Sequence, residues 1–354
     1  MRVLFVVGSL RAGGHERQVT SVAREMHRRG IECRVLCLTE LGVLAAPLEA
    51  DGVAVELFSA RSLARVRRFH PDVVYAYGFV AYVLAMPIAA VLVPRALRAS
   101  ARSHEAALDI YARFPRLSWL ARRLTNPATH VVVGNDRTVV DTHVAEDAAI
   151  RNRSYPIHNG VAIPPVAATP DRSTRILCIA NFRPEKTHEV LFAAIRRLPL
   201  DREWTLDLLG DGPRREEIVA MVAALPDPAR VVVHGVREDV GAVLAASAML
   251  VLASRTEGSP NVVFEAMAAG LPIVSTRVGS VPTLLADGGG IVVDVGDDEA
   301  LAAALLRYLD DPALRLRDGS AARRLATRYG IDVTVDRHLA VFDDHLAALG
   351  RSPS

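Results

Sequence analysis

Arg2-Val3-Leu4-Phe5-Val6-Val7-Gly8, running on into Ser9-Leu10-Arg11-Ala12-Gly13-Gly14-His15-Glu16, is the stretch from which the rest of the chain is read. An unbroken apolar run that ends in glycines and then becomes helical is a strand buried on both faces, the opening of a parallel α/β unit. Similar runs lie near 2–7, 33–38, 53–57, 72–77, 97–101 and 130–133, with helix-length amphipathic segments between them. Pro156, Pro164, Pro165 and Pro170 then crowd a segment without periodicity, and the alternation restarts near 175–180, 204–209, 230–234, 249–253, 272–275 and 291–293. Two parallel sheets with crossover helices follow from that pattern. A last amphipathic stretch, 332–348, comes after the second sheet is complete.

The expected organisation is a Rossmann-like domain over 1–160, a Pro-rich linker over 161–172, a second Rossmann-like domain over 173–333, and a segment 334–354 that packs back across the interface. Ligands of open parallel sheets sit outside the carboxyl ends of the strands, so the cleft between two such sheets is the expected site. The composition agrees with globular α/β domains: 51% hydrophobic, 23% charged, with 23 Gly and 20 Pro spread over 354 residues. Disordered, collagenous and disulfide-framework proteins are excluded on that basis. Cys33, Cys37 and Cys178 are too few for a disulfide set, and no second Cys or His pair completes a zinc spacing. No cleavable signal precedes the first strand, so a cytoplasmic protein is expected.

Residues 73–94 carry no charge over 22 positions, enough to span a bilayer. Gly78 and Pro87 interrupt the run, so strand 73–77 followed by buried helix 79–92 is the predicted outcome. The net charge of +2 divides into +7 over 1–165 and −5 over 166–354. The first half is therefore expected to meet something anionic, an acidic acceptor or a phospholipid surface. Seven arginines between Arg95 and Arg123 interleave with Tyr111, Phe114, Trp119 and Leu120. An interfacial patch at the inner face of the plasma membrane and a solvated helix face over ordinary buried aromatics both fit this mixture. No nucleic-acid partner is expected.

Residues suited to chemistry follow the strand ends. Gly13 and Gly14 open a helix, where backbone N–H groups and the helix dipole favour an anion, although a tight turn explains the glycines equally well. Their spacing is neither the dinucleotide nor the Walker fingerprint. Lys186 is the sole lysine beside 41 arginines, in Asn181-Phe182-Arg183-Pro184-Glu185-Lys186-Thr187. A compact ammonium suits one confined oxygen better than a planar guanidinium does. With Arg183 it supplies two cations, enough to hold a diphosphate without a metal.

Glu257-Gly258-Ser259-Pro260-Asn261-Val262-Val263-Phe264-Glu265 reads as a loop entering a short helix that Gly270 ends, with Ser259 as N-cap and Pro260 as first helical residue. Free N–H groups near Asn261 and Val262 would face an anion, while Glu257 and Glu265 can accept hydrogen bonds from sugar or ribose hydroxyls. Gly210-Asp211-Gly212-Pro213 and His234-Gly235-Val236-Arg237 offer exposed backbone for a nucleobase edge, and Arg102-Ser103-His104-Glu105 brings an imidazole to the cleft. Asp294, Asp297 and Asp298 read as a helix-capping turn, so no metal is expected.

Arg183-Pro184-Glu185-Lys186, Gly210-Asp211-Gly212-Pro213 and the block from Ser254 to Gly279 with its two glutamates, in that order over roughly 174–305, resemble the retaining glycosyltransferases of family 4, among the glycosyl transferases group 1. Gly13-Gly14-His15-Glu16, His104 and Asn159-Gly160-Val161 extend the resemblance more faintly. It implies a GT-B fold, two Rossmann-like domains facing each other across a central cleft, the C-terminal helix crossing back to the first. By the same resemblance the first domain takes the acceptor and the second a nucleotide diphosphate sugar, a co-substrate, with no cofactor. Glu265 would hold the ribose hydroxyls, Glu257 the donor-sugar hydroxyls, and Arg183 and Lys186 the diphosphate. Gly13 and Gly14 would close on it from the other domain, with His104 beside the donor sugar. Asn181, Gly212, Val236, Ser259, Pro260, Asn261 and Val262 complete the implied donor-binding set. The chain departs from the family at Asn181, where members often carry Arg, and at Thr283, where they often carry Glu. The implied activity is retaining hexosyl transfer to an anionic, lipid-linked or glycan acceptor, as in making envelope polysaccharide or glycolipid. A non-hydrolysing nucleotide-sugar epimerase and a non-catalytic sugar-nucleotide-binding protein are the alternatives at this stage.

Overall fold

The computed structural model describes residues 1–351 except 12, 104–113, 165–173 and 238. Two compact units result, one of Met1–Gly160 with Ile331–Ser354 and the other of Val161–Gly330.

In the first unit β1 (Arg2–Ser9), β2 (Glu32–Glu40), β3 (Ala54–Leu57), β4 (Val73–Tyr77), β5 (Leu97–Arg102), β6 (Val131–Gly134) and β7 (Ser154–Pro156) form a parallel sheet in the order β3-β2-β1-β4-β5-β6-β7. The connecting helices are α1 (Gly14–Arg28), α2 (Ala45–Ala50), α3 (Ala60–Phe69), α4 (Phe79–Leu92), α5 (Pro115–Thr125) and α6 (Arg137–Glu146). Strand side chains alternate between faces, and β1 shows why an unbroken apolar run is needed. Val3, Phe5 and Val7 enter a core with Val19 and Met26 of α1, whereas Leu4 and Val6 enter a second core with Val66 and Phe69 of α3 and Tyr82 and Met86 of α4. Ala121 of α5 packs against that second core. The uncharged run 73–94 is thus β4 plus α4, and no helix of the described residues is long and apolar enough to cross a membrane. Strand β7 was not expected from the sequence: it is three residues long and ends on Pro156, which cannot donate to a sheet.

The C-terminal helix, Ile331–Ala348, belongs to the first unit. Val335, Phe342 and Leu346 enter the α1 core, and Arg29 Nη2 donates to the Asp332 carbonyl at 2.9 Å. His338 Nδ1 lies 2.8 Å from the Thr334 carbonyl and Nε2 lies 2.9 Å from the Tyr75 hydroxyl, so the imidazole links helix to sheet. Burial lowers its pKa from the ordinary range to about 4. In the unfolded chain a histidine titrates near 6.5, so between those values unfolding takes up a proton that the native state refuses. Stability therefore falls as the pH drops from about 6.5 to about 4, on the order of 3 kcal/mol for one such group, and is insensitive to it at higher pH. The thermal midpoint of His338→Leu, followed from pH 7 to pH 4.5, is expected to fall less steeply than that of the wild type. Parallel curves would contradict this.

In the second unit β8 (Arg175–Ile179), β9 (Thr205–Leu209), β10 (Val231–Gly235), β11 (Met249–Leu252), β12 (Ile273–Thr276) and β13 (Gly290–Val293) form a parallel sheet in the order β10-β9-β8-β11-β12-β13. Its helices are α7 (His188–Arg196), α8 (Arg215–Ala223), α9 (Val240–Ala245), α10 (Asn261–Ala269), α11 (Val281–Leu284), α12 (Asp298–Asp310) and α13 (Pro312–Ala326). Val161 joins this unit through a bridge to Gly330, its amide donating to the Tyr329 carbonyl at 2.9 Å. Asp297 caps α12, accepting from the Ala300 amide at 2.8 Å. Cys33, Cys37 and Cys178 are free and buried, their thiols pushed up to about 12 by burial, so none is a thiolate nucleophile. Strand order reverses between β8 and β11, where connections leave toward opposite faces and open a crevice at the carboxyl ends.

Candidate functional site

Loops from the carboxyl ends of five strands of the second unit are laced together there by backbone hydrogen bonds. Phe182 N donates to the Asp211 carbonyl at 2.9 Å and Gly210 N to the Gly235 carbonyl at 2.8 Å, tying the loops after β8, β9 and β10. Arg255 N donates to the Glu185 carbonyl at 2.8 Å across the β8–β11 reversal, and Ser280 N to the Gly258 carbonyl at 2.8 Å, adding the loop after β12. Asn181, Arg183, Lys186, Gly212, Val236, Glu257, Ser259 and Pro260 all lie on this one rim. Gly210, with φ +148, permits the lacing, because a methyl there would collide with the Ala180 carbonyl oxygen.

The central contact is between two of the expected site residues. Lys186 Nζ donates to Glu257 Oε1 at 2.5 Å, with the side chains 19% and 11% exposed. Ser254 Oγ donates to the same oxygen at 2.7 Å; neither bond uses Oε2. An ammonium has three N–H donors, so two remain on Lys186 after this pairing. The sequence separated the roles, Lys186 for phosphate and Glu257 for sugar, whereas the structure makes them partners. Arg183 and Asn181 stand exposed on the same loop. Thr187, which sequence reasoning missed, ties the loop that carries Lys186 to the end of β11: its φ of +40 is left-handed, rare for a β-branched residue, and its hydroxyl donates to the Ala253 carbonyl. Strain of that kind persists only where the surroundings over-determine it.

Helix α10 starts beside this contact. Val263, Phe264, Ala266, Met267 and Ala268 are buried in the core, leaving Asn261, Val262 and Glu265 on a half-buried face with the i, i+4 spacing of one side of a helix. The expected N-cap is corrected. Pro260 occupies that position, at φ −72 and ψ 115, and no side chain caps the helix. Ser259 is instead buried, its hydroxyl accepting from Ser280 Oγ at 3.3 Å. Val236, after β10, is 62% exposed.

Gly13 and Gly14 lie in the first unit, as N-cap and first residue of α1. The Glu16 carboxylate folds back over Gly13, and burial raises its pKa. The helix start therefore faces a carboxylate of its own first turn. Arg102, at the end of β5, is buried, with Nη2 donating to Asn126 Oδ1 at 2.6 Å and its guanidinium 4.6 Å from the Tyr82 ring centre, so it turns inward. His104 lies outside the described residues.

Residues 173–311 match the family model of the glycosyl transferases group 1. The chain is 28% identical over 360 residues, 95% of its length and 96% of the relative's, to the lipopolysaccharide core biosynthesis glycosyltransferase LpsD of Rhizobium meliloti (strain 1021). It is 33% identical over 149 residues to the N-acetyl-alpha-D-glucosaminyl L-malate synthase of Bacillus anthracis, covering 42% of this chain and 39% of that one. Among solved structures, Anabaena Alr3699/HepE in complex with UDP and glucose superposes with a TM-score of 0.82 at 21% identity, over 98% of this chain and all of that one (100%). Sucrose-phosphate synthase from Thermosynechococcus elongatus does so at 0.77 and 17%, over 98% and 100%.

Proposed function

We propose that this chain, which belongs with the group 1 glycosyl transferases, moves a hexose-type sugar from a nucleotide diphosphate sugar to a glycan, glycolipid or small-metabolite acceptor, with retention and without a bound metal. The observation that carries the reading is the Lys186–Glu257 pair at the strand-order reversal of the second sheet. A preorganised ammonium with two N–H groups to spare and a carboxylate with one oxygen to spare are what a sugar diphosphate asks of a site. The solved complex of HepE with UDP and glucose, on the same fold, supports the choice of donor.

In this reading the two remaining N–H groups of Lys186 and the guanidinium of Arg183 meet the diphosphate. Glu257 Oε2 accepts from a hydroxyl of the donor sugar, and Glu265 and Asn261 hold the ribose. Two cations stabilise the charge that grows on the diphosphate as its bond to the anomeric carbon breaks. The acceptor hydroxyl then attacks the oxocarbenium-like centre from the face the diphosphate leaves, its proton passing to an oxygen of the departing diphosphate.

The test is incubation of the full chain with a panel of nucleotide diphosphate sugars and acceptors, with the product anomer read by NMR. A retained anomer is expected; an inverted one, or an epimerised donor formed without acceptor, would overturn the reading. Glu265→Ala is expected to weaken donor binding by about 10- to 150-fold, the worth of hydrogen bonds to a charged group, ~1.5–3 kcal/mol. Unchanged affinity by calorimetry removes Glu265 from the ribose site.

A further inference from the structure

Helices α3, α4 and α5 share one face of the first sheet, since Val66 and Phe69, Tyr82 and Met86, and Ala121 all meet the same core. Their outer sides therefore look the same way, opposite to α1 and the C-terminal helix. That outer surface is unusual in two respects. Helix α4 (Phe-Val-Ala-Tyr-Val-Leu-Ala-Met-Pro-Ile-Ala-Ala-Val-Leu) has no polar residue to turn to solvent, and it exposes Val80, Leu84, Ile88 and Val91, the last 84% exposed. Helix α5, which contacts α4, exposes Leu117, Leu120 and Leu124 at helical spacing, with Trp119 beside them. Monomeric surfaces seldom carry contiguous apolar area of this kind without a partner.

The second respect is charge. The three helices hold seven arginines and no carboxylate. Arg65 pairs with Glu56 and Arg122 with Glu146. Arg61, Arg67, Arg68, Arg116 and Arg123 are exposed, and no salt bridge joins them to a carboxylate of the described residues. Arg123 lies over Trp119, 5.4 Å from the ring centre, so cation and aromatic sit together. Apolar side chains flanked by aromatics and by cations that have no carboxylate partner among the described residues match the layered chemistry of a bilayer surface, acyl boundary beneath anionic headgroups. At fourteen residues α4 is too short to span, which leaves it in the plane of the surface.

We propose that the α3–α4–α5 face of the first unit is a docking surface for an anionic phospholipid bilayer, with α4 and α5 laid into the headgroup boundary and the arginines of α3 and α5 on the phosphates. This goes beyond the transfer reaction and does not depend on it.

Flotation of the full chain with vesicles, in the absence of nucleotide sugar, tests it. Recovery with phosphatidylcholine–phosphatidylglycerol vesicles is expected at low salt, with little on phosphatidylcholine alone, and a marked loss at about 1 M salt, where the screening length is ~3 Å. Removing three cations in R61Q/R67Q/R68Q is expected to lower the partition coefficient about 100-fold, at roughly fivefold each. L84E/L120E is expected to abolish binding with an unchanged thermal midpoint, since both side chains are exposed. Absence of binding to anionic vesicles, or equal binding to neutral ones, would overturn the proposal. So would a wild-type dimer that L84E/L120E converts to monomer without any vesicle binding, which assigns the face to a second copy.

Discussion

Lys186→Ala is expected to fold, to bind donor, and to turn over about 10²–10³ times more slowly, the usual effect of deleting one preorganised donor to a developing anion, ~2.7–4 kcal/mol. The size follows from how the ammonium is held. Its bond to Glu257 Oε1 at 2.5 Å and the left-handed Thr187 beside it fix its position before any ligand arrives, so little reorganisation is needed at the reacting diphosphate. Truncation removes the cation and also leaves Glu257, 11% exposed, with Ser254 as its partner. Glu257→Gln separates the two effects, because it keeps the shape and removes the charge. Residues in direct contact are not additive, so K186A/E257Q should lose less than the product of the single losses. Steady-state rates at saturating donor decide the matter, and near wild-type turnover in Lys186→Ala refutes the role given to it.

Gly279→Ala is expected to cost on the order of 3 kcal/mol and to lower activity at least tenfold, although residue 279 touches no substrate in the proposed mechanism. Gly279 has φ +47, where an L-residue pays about 1–2 kcal/mol. The added methyl would run into the Gly258 carbonyl oxygen and lie 2.7 Å from that of Glu257. Relieving the clash moves the carbonyl that accepts from Ser280 N, a bond worth about 1 kcal/mol. It also displaces the backbone of Glu257. For a unit of this size the thermal midpoint should fall by about 6–12 °C. Gly241→Ala in α9, where a methyl meets nothing within 4 Å, is the control and should be neutral or slightly stabilising. If Gly279→Ala melts with that control, the close packing of the two loops has no energetic weight.

Secondary structure was legible in the sequence because burial on both faces leaves a local trace. Runs such as Val3–Val7 and Ile176–Ile179 must be apolar at every position to feed two cores, and that is visible without coordinates. Strand β7 left no such trace, being three half-buried residues at a sheet edge. The N-cap was misplaced by one residue because Ser259 has the right side chain and the wrong partner: Ser280, which donates to it, is 21 positions away. Residue types at the site were also legible, since a lone lysine among arginines and two glutamates around a helix start announce themselves by chemistry.

What the chain determined by itself was which side chains are available and which strand end each follows. Tertiary structure alone decided that Lys186 and Glu257, 71 positions apart, are partners, because only the reversal of strand order at β8 and β11 brings those two loops together. The basic and apolar helices follow the same logic. Arg61 to Arg68, the uncharged α4 and the Arg–Leu stripe of α5 are three separate segments in sequence, and become one surface because successive right-handed crossovers place all three on the same side of the sheet.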